Sequence, residues 1–209
     1  MYVLRHEETG RRLRPRRPLV CALDITGMAI ALVLLAAYRP SATVAVLPLA
    51  VIAMYAASCA YHWLPESSML GKLDHMLIFV LIGVTLVPYW GMLLPWSEAW
   101  WRFALVAFAI ACGCAIKAFT VLQRGASAAA YVAAAVPLLT SAHQTAVWLP
   151  IAPLVCFWAG VGLYLLQLAV YTARRPDPYP ELFGYREVQH SILLCATTLH
   201  VSVALAYVR

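Results

Sequence analysis

Charge is scarce in this chain. Of its 209 residues only 11% are Asp, Glu, Lys or Arg and 64% are hydrophobic, whereas a soluble globular domain carries about 25% charged residues. That balance excludes a water-solvated fold and makes the chain an integral membrane protein. Lysine is rarer still: Lys72 and Lys117 are the only two and neither lies in the last apolar segment, which speaks against a light-driven pump. There is no CxxC zinc motif and no disulfide framework. The six cysteines (Cys21, Cys59, Cys112, Cys114, Cys156 and Cys195) all fall in apolar stretches, where they read as small packing residues. Internal repeats, low-complexity tracts and Gly/Ser linkers are also missing, so nothing supports an inverted-repeat transporter. With no ring of like charges and no amphipathic pore-lining helix, a pore-forming cytolysin is disfavoured too.

What the chain has is apolar length. Stretches of the roughly 17 to 25 residues that cross a bilayer run over 18–38, 43–63, 74–95, 99–121, 126–144, 148–172 and 187–208. The expected fold is therefore all-α, a polytopic bundle of seven transmembrane helices. A basic arm, 1–17, precedes a single transmembrane domain, 18–209. The polar stretch PESSMLGK separates the second and third spans. Pro48, Pro88, Pro137 and Pro153 fall within or beside spans, where they suggest kinks or helix ends rather than loops. The first apolar stretch is too long, and lacks the small-residue cleavage site, for a secretory signal peptide.

Basic residues orient the bundle. Arg5, Arg11, Arg12, Arg14, Arg16 and Arg17 precede the first span; with that end inside, Lys72, Lys117, Arg124, Arg174, Arg175 and Arg186 also fall inside. Arg39, Arg102 and Arg209 fall outside. The positive-inside rule then gives a cytoplasmic N-terminus and an external C-terminus, with Trp96, Trp100, Trp101 and Trp148 forming an outer aromatic belt. The net charge of +6 is assigned to anionic lipid headgroups at the basic arm, not to nucleic acid. The expected location is a bacterial inner membrane.

This topology brings four ionisable groups to one depth. The second span ends at His62, the third begins at Asp74, and the seventh begins near Arg186 and His190. Arg186 and His190, four residues apart on a helix, share a face, as do Ser58 and His62. Ionisable groups in membrane helices are costly and usually face the bundle interior, where they pair or act. His62 reads either as a metal ligand or as an interfacial group beside Trp63. His75 points elsewhere on its helix than Asp74. His200 lies about 15 Å along the axis from His190, too deep to share a metal with it. His143 belongs to the outer side and His6 to the arm.

The chain resembles the haemolysin III proteins, within the superfamily of progestin and adiponectin receptors. The resemblance rests on SCAYHWLP at 58–65, LDHMLIFVLIGVTLVP at 73–88, GVGLYLLQLAVYTARRPDPYPELFGYREVQH at 160–190 and LLCATTLH at 193–200. It implies seven helices with the N-terminus inside and, in well-understood members, a zinc ion held by three histidines near the cytoplasmic side. It assigns His62 and His190 as metal ligands, Asp74 as the carboxylate that orients a zinc-bound water, and Ser58 as the polar residue one turn before the first histidine. The remaining histidine position holds Arg186, whose guanidinium cannot ligate zinc. The Asn and His often found in the family's first helix are replaced by LDITG at 23–27.

A zinc site with only two histidines needs a carboxylate. Asp74 and Glu187 are the candidates, and Asp24 is a third. Alternatively Arg186 stands in for the metal, its charge held near Asp74 and Asp24. The expectation is a zinc-poor member with a cytoplasm-facing polar pocket and a lipid-sensing or membrane-homeostasis role. The alternative is a zinc-dependent hydrolase of lipid amide or ester bonds, with membrane lipids as partners in either case.

Overall fold

The computed structural model describes residues 16–65, 67–120 and 122–208, so the basic arm up to residue 15 and Arg209 lie outside the described residues. Nine α-helices and one 3-10 segment follow in order among these residues: α1 (Pro18–Tyr38), α2 (Ala42–Trp63), α3 (Ser68–Val84), α4 (Val87–Leu93), α5 (Trp96–Phe119), α6 (Arg124–Ala135), the 3-10 turn Val136–Ser141, α7 (Ala142–Trp148), α8 (Ile151–Ala173) and α9 (Tyr185–Tyr207). Counted as membrane crossings they make seven, because α3 with α4, and α6 with α7, each form one interrupted span. The seven-span bundle expected from the apolar runs is the observed architecture.

Local chemistry sets the boundaries. Pro18 opens α1, where its missing N–H costs nothing, and Arg39 closes it in the left-handed conformation. The third span starts earlier than the apolar run suggested. The Ser67 hydroxyl accepts from the Leu70 N–H at 3.4 Å and starts the helix at Ser68, so much of the polar stretch read as a connection is helical. Asp74 therefore sits nearly two turns inside α3 rather than at its first residue. The two expected interruptions fall at Pro88, just after α3 gives way to α4, and at Pro137 in the 3-10 turn. Pro48 is accommodated inside a continuous α2, and Pro153 lies in the first turn of α8.

The core lies where α1, α2, α4 and α9 meet, around Leu47, Val51, Tyr55, Tyr89, Trp90, Val201 and Leu205. Apolar side chains such as Val33, Phe108, Val147 and Ile151 point outward, as a lipid-facing surface requires. With lipid outside, apolar burial does not drive helix association, so close packing and hydrogen bonds between helices carry more of it. Tyr55 Oη and Thr197 Oγ1 lie 2.9 Å apart and tie α2 to α9. The Trp90 indole N–H donates to Ser141 Oγ at 2.8 Å and ties the third span to the fifth. Helix α9 packs on both α8 and α1, and α2 packs on α1 and α3, which draws the start of α9 and the end of α2 to one end of the bundle.

Candidate functional site

At that end the chain closes on itself. The Arg17 N–H donates to the His62 carbonyl at 3.3 Å, joining the start of α1 to the end of α2. The Arg17 guanidinium donates through Nη1 to both oxygens of Glu187, at 2.9 and 3.0 Å. Glu187 also accepts the Gly184 N–H at 2.9 Å, so this carboxylate caps its own helix. Both of its oxygens are thereby engaged. Glu187 does not line the cavity described below; it fastens the N-terminus of α9 to the segment before α1.

Above this closure lies a cavity of about 420 Å³, within the roughly 300–1,000 Å³ of ligand pockets. Its walls are helical stripes at three- and four-residue spacing: Met54, Ser58 and His62 on α2; Asp74, Ile78, Leu81 and Thr85 on α3; Val161, Tyr164, Leu168 and Tyr171 on α8; and Arg186, His190, Leu193 and His200 on α9. Helix α6 contributes Arg124 and Tyr131. Five of the residues singled out in the sequence, Ser58, His62, Asp74, Arg186 and His190, thus border one space. His75 borders it as well; its Nδ1 lies 2.8 Å from the Gly71 carbonyl and 3.5 Å from Asp74 Oδ2.

The histidines are held in different ways. His190 Nδ1 is 2.8 Å from Asp24 Oδ1, and the Asp24 side chain is 0% exposed. Asp24, the third of the carboxylate candidates, is the one that contacts His190. With Nδ1 donating to the carboxylate, the other ring nitrogen of His190 is left as an acceptor. The His62 and His190 rings meet edge to face with centroids 5.4 Å apart. The buried Ser58 hydroxyl has no hydrogen-bond partner among the described residues.

The donor set does not fit a zinc ion. Catalytic zinc takes three protein ligands and structural zinc four. The third histidine position is a guanidinium, and no three His, Cys, Asp or Glu side chains among the described residues are grouped to hold a metal. Two arginines shape the mouth instead. Arg124 donates from Nη2 to Tyr185 Oη at 3.3 Å and lies 5.6 Å over the Tyr171 ring and 5.7 Å over the Tyr185 ring. The Arg186 guanidinium also lies 5.7 Å from the centroid of the same tyrosine ring. Buried Arg124 Nη1 has no hydrogen-bond partner among the described residues.

Sequence reasoning overlooked Arg17, Arg124 and the tyrosines Tyr131, Tyr164 and Tyr171. The signal that could have found them was available in part: Arg124 and Tyr171 lie at or near span ends and Tyr164 lies within a span, and an ionisable or hydroxyl side chain facing a bundle is a functional candidate by default. A family model described as haemolysin-III related matches residues 19–201.

Proposed function

Because the chain belongs to the haemolysin III-related family, we propose that it is a lipid-binding member that acts through occupancy of its cavity rather than through turnover. The observation that carries this reading is the polarity gradient of a single cavity. One end is bordered by Arg124, Arg186, Asp74 and His190, and the rest is mostly apolar, walled by residues such as Leu81, Ile82, Leu138, Val161 and Leu193, with Tyr164 and His200 among them. A long-chain amphiphile with an acidic head matches that gradient: the guanidinium groups receive the head and the apolar stripes receive the chain. On this reading the protein lies in the bacterial inner membrane with this mouth on the cytoplasmic side. Arg16, Arg17, Lys72, Lys117, Arg124, Arg174 and Arg186 belong to helix ends or flanks at that end of the bundle, in keeping with the positive-inside rule.

Occupancy has a mechanical consequence. The cavity is bordered by five helices, and α9 contributes both to it and to the Arg17–Glu187 closure, so a bound chain would favour the arrangement in which α9 stays packed against α8 and α1. A ligand shifts such an equilibrium only by its differential affinity for the two arrangements. Extraction of lipids from the purified protein, followed by mass spectrometry, tests the reading. The expected result is about one long-chain amphiphile per protein, depleted in the Arg124→Ala variant. A protein that carries none, and takes up none when offered fatty acid, would overturn it.

The hydrolase reading retains one observation in its favour: His190 is oriented by a buried carboxylate beside His62, as metal-ligating histidines usually are. Zinc at His62 and His190 would polarise a carbonyl and activate water, but only with a third ligand that Arg186 does not supply.

A further inference from the structure

The cavity wall holds a second set of polar atoms away from the basic mouth. His200 is 0% exposed and borders the cavity, and neither of its ring nitrogens has a hydrogen-bond partner among the described residues. Tyr164 borders the same wall. Its ring lies 5.2 Å from the His200 ring, centroid to centroid, and its buried hydroxyl is likewise without a partner. The surroundings are apolar: Phe157 packs edge-on against His200 at 4.8 Å. The imidazole packs directly against Gly160, where an added methyl group would collide with it. Unpaired polar groups in a bilayer-embedded interior are costly. Together, a neutral imidazole and a phenol present two donors and acceptors on both rings.

The distance between the two polar regions follows from helix geometry. His200 comes ten residues after His190 and fourteen after Arg186 on the same continuous helix, about 15 Å and about 21 Å along the axis at 1.5 Å per residue. A saturated, unsubstituted chain lying along the cavity would cover Tyr164 and His200 without satisfying either. A chain carrying one oxygen at that depth could pair with the Tyr164 hydroxyl and one ring nitrogen of His200.

We propose that Tyr164 and His200 form a second polar subsite that takes a hydroxyl or carbonyl group on the chain of the bound amphiphile. This rests on the lipid-binding reading and narrows its ligand class to long-chain amphiphiles oxygenated about 15 Å or more from the head.

The test uses the full chain in detergent and three probes, octadecanoic acid, 12-hydroxyoctadecanoic acid and 2-hydroxyoctadecanoic acid, with affinities from calorimetry. The expected result is about tenfold tighter binding of the 12-hydroxy acid than of the parent acid, the worth of a well-made buried hydrogen bond, and no gain for the 2-hydroxy acid. Tyr164→Phe, which keeps shape and packing, should cut the preference to about threefold or less. Equal affinity of the unaltered protein for all three acids overturns the subsite and leaves lipid binding standing. An equal gain for both hydroxy acids also overturns it, by placing hydroxyl recognition at the mouth. Binding of none of the three overturns both the subsite and the lipid-binding reading.

Discussion

At the scale of single residues, the pair that organises this molecule is Asp24 with His190. The carboxylate is fully buried in α1, and its 2.8 Å contact with His190 Nδ1 spans a sequence separation no local pattern reveals. Replacing Asp24 by Leu removes the acceptor and strands a buried donor, which costs about 1–3 kcal/mol. The expected outcome is a lower unfolding temperature of the detergent-solubilised protein; an unchanged one would show that the contact carries no stability. Arg186 is the other residue on which the chemistry turns. Arg186→His supplies the third imidazole beside His62 and His190, and elemental analysis of that variant should find about one zinc per chain, as three protein ligands suffice for a catalytic site. In the unaltered protein the same analysis should find far less. Stoichiometric zinc there, lost on His190→Ala, would refute the zinc-poor reading. Ser58, His62, Asp74, Arg186 and His190 were legible as a group from helical periodicity and topology. Asp24 was legible as a buried acid in a membrane helix, but its partner was not.

Between elements, the closing interaction is the one that joins α1 to α9. Glu187 is buried at the start of α9 and receives two hydrogen bonds from Arg17, a residue itself about a quarter exposed. Arg17→Ala leaves that carboxylate with the Gly184 N–H, so the loss is smaller than for a fully buried pair, about 1–2 kcal/mol. Hydrogen exchange should register it as faster exchange of the backbone amides of residues 184–188, with little change in α5. Uniform exchange across the chain would argue that the pair is not a clamp. Apolar length located the spans to within a few residues, because crossing a bilayer is a requirement on composition. The start of α3 escaped that reasoning. Ser68, Gly71 and Lys72 are polar or small enough to read as a loop, yet the Ser67 cap makes them helical, and helix formation at an interface does not demand apolar side chains. The role of Glu187 escaped it as well, since spacing alone placed it three residues from His190 but could not show Arg17 on its other side.

For the whole molecule, topology decides which compartment the cavity opens to. Basic residues collect at the end where α1 begins, so a reporter enzyme active only outside the cytoplasm should work when fused after the C-terminus. A reporter that fluoresces only in the cytoplasm should stay dark there. The reverse pattern would invert the assignment and place the mouth outside. Seven spans, their order, and the clustering of ionisable groups at one depth were determined by the sequence alone, because bilayer thickness and the positive-inside bias act on composition. Only the tertiary structure decided which of those groups touch: that Asp24 holds His190, that Arg17 takes Glu187 out of the site, and that α6 and α8 bring Arg124, Tyr131 and Tyr164 to the same cavity. The physical reason is that sequence periodicity defines the face of a helix, whereas the rotation and partners of that face are set by side-chain packing between segments far apart in the chain.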